Sequence, residues 1–173
     1  MFDKTPISFE EFSNVLSILG QKKDDDRISY YYPSAGGLYP IDVYIYIKQN
    51  RVSGLDEGLY YYHPPYNRLH KISNKKFGDE IHYSINKATF NESAFSVYFI
   101  YNAGASMPKY GGLGYFYACI DTGIMVATLN ALCEKYNIGI CCIGDMNYSK
   151  IQSEFSLDSD KIFLHCIECG KEK

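Results

Sequence analysis

The chain has 173 residues, 46% of them hydrophobic and 21% charged, with a net charge of −3. That mixture supports a packed globular core and excludes an intrinsically disordered chain. Mild acidity without a basic block argues against nucleic acid as a partner.

The opening "MFDKTPISFEEF" lacks the cationic start and apolar core of a signal peptide, so a cytoplasmic protein with six reduced cysteines is expected. Ser8 with Glu11 three residues on, and apolar Phe9, Phe12, Val15, Leu16 and Leu19, predict a capped amphipathic helix that Gly20 stops. "QKKDDDR" reads as a solvated linker. Next comes "YPSAGGLYP" (32–40), in which two prolines bracket a serine and paired glycines directly before a strand over 42–48. "GLYYYH" (58–63) and "NRLHKI" (67–72) flank "PPY" as a hairpin. "KKFGDEIHYSINKA" (75–88) reads as a helix and "FSVYFIYNA" (95–103) as a central strand.

A loop, "GASMPKYGG" (104–112), leads into the almost wholly apolar run 115–133. Asp121 interrupts that run, with Thr122, Thr128 and Asn130 also polar. A mid-span carboxylate is costly in lipid, so no membrane span is expected and a fully buried central helix is. "NIGICCIGD" (137–145) is a buried strand, "NYSKIQSEF" (147–155) a short helix, and "KIFLHCIEC" (161–169) a closing strand. The order predicts one α+β domain over 1–173, a mostly antiparallel sheet packed around a long buried helix.

Motifs for common chemistries are missing. No G-x-G-x-x-G follows a strand, no P-loop is present, and Ser34 does not sit in G-x-S-x-G. Cys166 and Cys169 form a C-x-x-C, but residues three apart on a strand face opposite ways and chelate poorly. The four histidines are scattered, so no metal site is expected. Three loops remain. "PSAGGLYP" offers small residues and free amides, and paired glycines mark positive φ or a backbone that a ligand approaches closely. "PKYGG" offers a lysine and a phenol, and "CCIGD" a backbone turn after a strand. Spacing alone gives a pocket for a flat ligand, and composition alone favours reading Lys109 and Tyr110 as a surface lysine beside a packed tyrosine.

The order "R…YPSAGGLYPIDVYIYI", "GLYYYHPPYNRLHKI", "PKYGGLGYFYACIDTG", "NIGICCIGD" and a closing "CG" resembles the azoline-oxidase branch of the FMN-dependent nitroreductase superfamily, the thiazoline and oxazoline dehydrogenases. The resemblance implies a homodimeric nitroreductase-like fold with FMN held between subunits. It places Pro33, Ser34, Ala35 and Gly36 against the flavin, Ile143 and Gly144 at the flavin's reactive face, and Arg27 and Lys171 near its phosphate. A linker arginine, a strand-ending glycine and a solvated terminal lysine are the plainer readings of Arg27, Gly144 and Lys171. The pair Lys109 and Tyr110 resembles the dyad associated with azoline oxidation, the lysine as base and the tyrosine orienting the ring or relaying the proton. The implied substrate is a heterocycle-bearing peptide or carrier-bound intermediate, and the implied partner a cyclodehydratase or synthetase. Leu113, Phe116 and Ile124 stand where the branch often has arginines and a G-H. Alternatives are a generic NAD(P)H-dependent nitroreductase or flavin reductase, and a catalytically silent scaffold.

Overall fold

A computed structural model describes residues 2–22 and 28–173. In chain order the elements are β1 (Phe2–Asp3), α1 (Phe9–Ser17), β2 (Gln21–Lys22), β3 (Ser29–Tyr30), β4 (Ile41–Ile47), β5 (Gly58–His63), β6 (Arg68–Ser73), α2 (Ser84–Glu92), β7 (Phe95–Asn102), α3 (Ala103–Tyr110), α4 (Leu113–Lys135), β8 (Ile138–Ile143) and β9 (Lys161–Glu172). The main sheet runs β1-β9-β7-β4-β5-β6, with β8 also pairing β9. All of its pairings are antiparallel, while β2 and β3 form a separate ribbon.

Strand alternation sorts the core into two layers. Val43, Ile45, Ile47, Val97, Phe99 and Ile167 point to the face covered by α1 and α4. Tyr44, Tyr46, Tyr98 and Ile100 point to the other, under Phe77, Phe90 and Phe155. Cys166 lies on this second face and Cys169 on the first, as the strand reading of C-x-x-C requires. The expected capping box closes α1: the Ser8 hydroxyl accepts from the Glu11 N–H at 3.2 Å, and Glu11 Oε2 accepts from the Ser8 N–H at 3.0 Å. Phe12, Val15 and Leu16 then dock on the sheet.

Three expectations need correction. Residues 75–88 do not form one helix, and α2 begins only at Ser84. Phe77 stacks on Tyr46 with centroids 4.4 Å apart while its N–H donates to the Tyr46 hydroxyl, which holds the chain out of a helix there. The expected loop at 104–112 is mostly helix α3, despite Pro108. Ala103 and Ser106 are buried, and the Ser106 hydroxyl shares a 2.7 Å hydrogen bond with that of Tyr101. Tertiary anchoring outweighs the proline and glycine signals.

The third correction concerns α4. It is apolar enough in length and composition to cross a membrane, yet it packs its Gly114, Ala118, Met125, Leu129 and Cys133 side inward. It is not fully buried. Leu113, Tyr115, Phe116 and Ile120 are 44–58% exposed, and Gly123 and Ala127 continue the open side.

Candidate active site

The glycine turn is built by a buried carboxylate. Asp121, on the third turn of α4 and its inward side, is only 3% exposed. It accepts from the Ser34 hydroxyl at 2.6 Å and from the Ala35 N–H at 3.2 Å. The Ser34 hydroxyl in turn accepts from the Tyr39 N–H at 2.9 Å, so one acid fixes both ends of the turn. A buried acid accepting several donors is well satisfied, which is how an apolar helix tolerates it. In the sequence Asp121 shows only as a polar break in an apolar run. Its signal was present all the same, since a lone carboxylate inside a buried run needs a partner.

Residues Ala35–Gly37 form a short 3-10 turn in which Gly36 has φ 63° and Gly37 φ 68°. Both lie in the left-handed region that favours glycine. The space around them differs. A Cβ on Gly36 would overlap the Tyr110 hydroxyl and stand 2.7 Å from Lys109 Nζ, whereas a Cβ on Gly37 would meet nothing within 4 Å. The turn and the lysine–tyrosine pair, 73 residues apart between Gly36 and Lys109, are therefore brought into contact within one chain.

The pair itself lies at the end of α3. Lys109 occupies the last helical turn and is exposed, while Tyr110 is half-buried and meets Tyr117 edge-on at 5.1 Å. Gly111, at φ 55°, turns the chain into α4. Lys109 thus sits between the carbonyl end of α3 and the amide end of α4, not before a helix start alone. Its amine lies 5.1 Å from the Tyr110 ring centroid.

Ile143 is a buried residue at the end of β8, and Gly144 follows it exposed, with nothing within 4 Å of its Cβ position. Beside this turn a cavity of about 300 Å³ opens between α4 and the strands, lined by Cys119, Thr122, Gly123, Val126, Cys142 and His165, with Leu164 completing it. Burial pushes the Cys142 thiol up, with Cys141 adding to the effect, so it is no ready nucleophile.

Lys171 is elsewhere. It donates to Glu11 at 2.7 Å and to the Tyr136 carbonyl at 2.8 Å. Tyr136 caps the far end of α4, roughly 22 Å along the helix from Asp121 at 1.5 Å per residue. Arg27 lies outside the described residues.

The residues present fit the ring of FMN. Gly37 and Gly144 present open backbone, the Gly36 N–H has no partner among the described residues, and tyrosines Tyr110 and Tyr117 stand alongside. Among the described residues the phosphate lacks so clear a match, because Lys171 is paired with Glu11.

A protein of Methanocaldococcus jannaschii named as a nitroreductase is 26% identical over 161 residues, covering 92% of this chain and 80% of that protein. Among solved structures, a chain of the Escherichia coli microcin synthetase McbBCD complex, with truncated pro-MccB17 bound, superposes with a TM-score of 0.83 at 20% identity. The match covers 99% of this chain and 67% of that one. An FMN-dependent nitroreductase of Clostridium difficile follows the same fold with a TM-score of 0.61 at 10% identity, over 99% of this chain and 80% of that one. The model of the Nitroreductase family matches residues 1–171, and the chain belongs to that family.

Proposed function

We propose that this nitroreductase-family oxidoreductase binds FMN and dehydrogenates thiazoline or oxazoline rings to thiazole or oxazole. The observation that carries the reading is the contact of Gly36 with both Lys109 Nζ and the Tyr110 hydroxyl. A base and a phenol held against a glycine turn suit a reaction that removes a proton from one ring carbon and a hydride from its neighbour. When bound, FMN would supply the hydride acceptor at N5. Lys109 takes the proton from the ring carbon, which requires its amine in the neutral form at that moment. Tyr110 orients the heteroatom or passes the proton on. Asp121 holds Ser34 and Ala35 so that backbone, not side chain, faces the ring, with Pro33 and Gly36 completing that wall and Ile143 and Gly144 the opposite one.

The exposed side of α4 supports a homodimer. Phe116, Ile120, Gly123 and Ala127 recur at three- and four-residue steps, and a second copy would cover them and complete the pocket. Arg27 is the candidate for the phosphate, while Lys171 stays with Glu11 at the far end of α4. The substrate we assign is a heterocycle-bearing peptide or carrier-bound intermediate, made by a cyclodehydratase or synthetase partner, and the microcin synthetase superposition supports such an assembly. Six free cysteines suit a reducing cytoplasm.

The test is Lys109→Ala at matched FMN occupancy. It should keep the flavin and lose thiazoline oxidation by about 10²–10⁴-fold. Wild-type turnover by that variant would remove Lys109 from the chemistry.

A further inference from the structure

The face of the sheet away from α4 contains a polar cluster that the chemistry above does not use. Glu168, on β9, is fully buried and sits opposite Ser96 of β7 and Cys141 of β8. Its carboxylate accepts from Lys48 Nζ at 2.9 Å and from the Ser96 hydroxyl at 2.8 Å, with the Ser93 hydroxyl also bonded. Burial would push this carboxyl up, but Lys48, His82 and Ser93 together hold it below the ordinary value, so it is ionised at neutral pH. His82 Nε2, on a wholly buried ring, lies 3.3 Å from Glu168 Oε1, a close polar contact without hydrogen-bond geometry. An ion cluster in an apolar core is an expensive way to gain stability, because desolvation offsets most of the attraction. It does, however, define a position sharply.

That position is connected to the turn after β8. His82 forms an antiparallel bridge with Met146. The Ile81 carbonyl accepts from the Asn147 N–H at 2.8 Å, and the Asn86 amide reaches the Asp145 carbonyl at 3.4 Å. The chain running out of β8, 144–147, is thus fastened to 81–86, and 81–86 is fastened to the sheet through His82 and Glu168.

We propose that Glu168 and His82 form a buried anchor that positions the Gly144 turn, and through it the wall that Gly144 offers to the flavin. The second half rests on the functional reading above. Both are positioning residues and touch no reacting atom.

Glu168 variants leave Lys48 charged and buried and risk unfolding, so the test uses His82. The full chain is compared as wild type, as His82→Leu, as His82→Gln, which keeps a donor for Glu168, and as Val15→Ala, a core truncation on the opposite face. Amide exchange of Asn147 is followed in flavin-free protein, and the FMN dissociation constant is measured by titration. Removing a polar neighbour 3.3 Å from a buried charge is expected to change an equilibrium by about tenfold. His82→Leu should therefore speed Asn147 exchange and weaken FMN by about that factor. His82→Gln should restore most of both, and Val15→Ala should move neither. Unchanged Asn147 exchange in His82→Leu, or an equal acceleration in Val15→Ala, overturns the anchor. Faster exchange with an unchanged FMN dissociation constant overturns its role toward the flavin. Were wild type to bind no FMN, the functional reading would fail, while Asn147 exchange would still decide the anchor.

Discussion

Replacing Gly36 and Gly37 separately by alanine should divide backbone cost from chemistry. Both residues sit at nearly the same positive φ, 63° and 68°, so each alanine should cost about 1–2 kcal/mol of stability. Only at Gly36 does the new methyl meet Lys109 and Tyr110. It would stand 2.7 Å from Lys109 Nζ, where ordinary contact begins near 3.4 Å, and it would overlap the Tyr110 hydroxyl. Both side chains must retreat, the amine by roughly 0.7 Å and the phenol further. Misplacement of a reacting group by about 1 Å costs on the order of 10²-fold in rate. Gly36→Ala should lose that much thiazoline oxidation at saturating FMN. Gly37→Ala should match its thermal midpoint, keep most of the rate once saturated, and need more FMN to saturate, because its methyl enters the open space the ring would use. Single-turnover flavin reduction on both variants measures this directly. Equal rates for the two, at equal flavin occupancy, would refute the placement of Lys109 and Tyr110 at the reacting ring.

Three further outcomes follow from the same geometry. Asp121→Ala leaves the Ser34 hydroxyl and Ala35 N–H without their acceptor and should cost about 1–3 kcal/mol in chemical denaturation, with weaker FMN binding. A loss of stability with unchanged FMN affinity would separate the turn from the cofactor. Ile120→Asp puts a charge on the exposed apolar side of α4 and should convert a dimer to monomer by light scattering, and a variant that remains dimeric would place the interface elsewhere. The Glu168 carboxyl is held below its ordinary value of 4.5, so its stabilisation is complete above that pH and is lost as pH falls through the lower folded value. Thermal midpoints should be flat near neutrality and drop below about pH 4.5, less steeply in a Lys48→Met, Glu168→Gln pair. An identical acid slope in the pair would show that other carboxylates govern it.

Much of the fold could be read directly from the residues. The Ser8–Glu11 capping box, the tyrosine-rich hairpin around "PPY" and the alternating run at 161–169 are local patterns with local causes, and each formed where expected. Helix α3 was hidden because Pro108 and its glycines signal a loop, while the buried Ser106–Tyr101 hydrogen bond that ties it to the end of β7 follows no sequence motif. The open side of α4 was hidden for a different reason. An all-apolar helix reports that something covers every face, not whether one chain supplies the cover. For the site, "PSAGG" and "PKYGG" were visible as separate loops. That they meet, and that Asp121 joins the first of them to α4, depends on the sheet and helices between them.

The most direct measurement is anaerobic. The FMN-loaded protein is mixed with a thiazoline-bearing peptide, without any nicotinamide, and the flavin absorbance and peptide mass are followed together. The proposed function predicts bleaching of the flavin in step with loss of two hydrogens from the peptide, absent in Lys109→Ala. A flavin that stays oxidised with such a peptide and its carrier-bound counterpart, yet bleaches at once with NADPH, would contradict it and identify a nicotinamide-driven reductase instead.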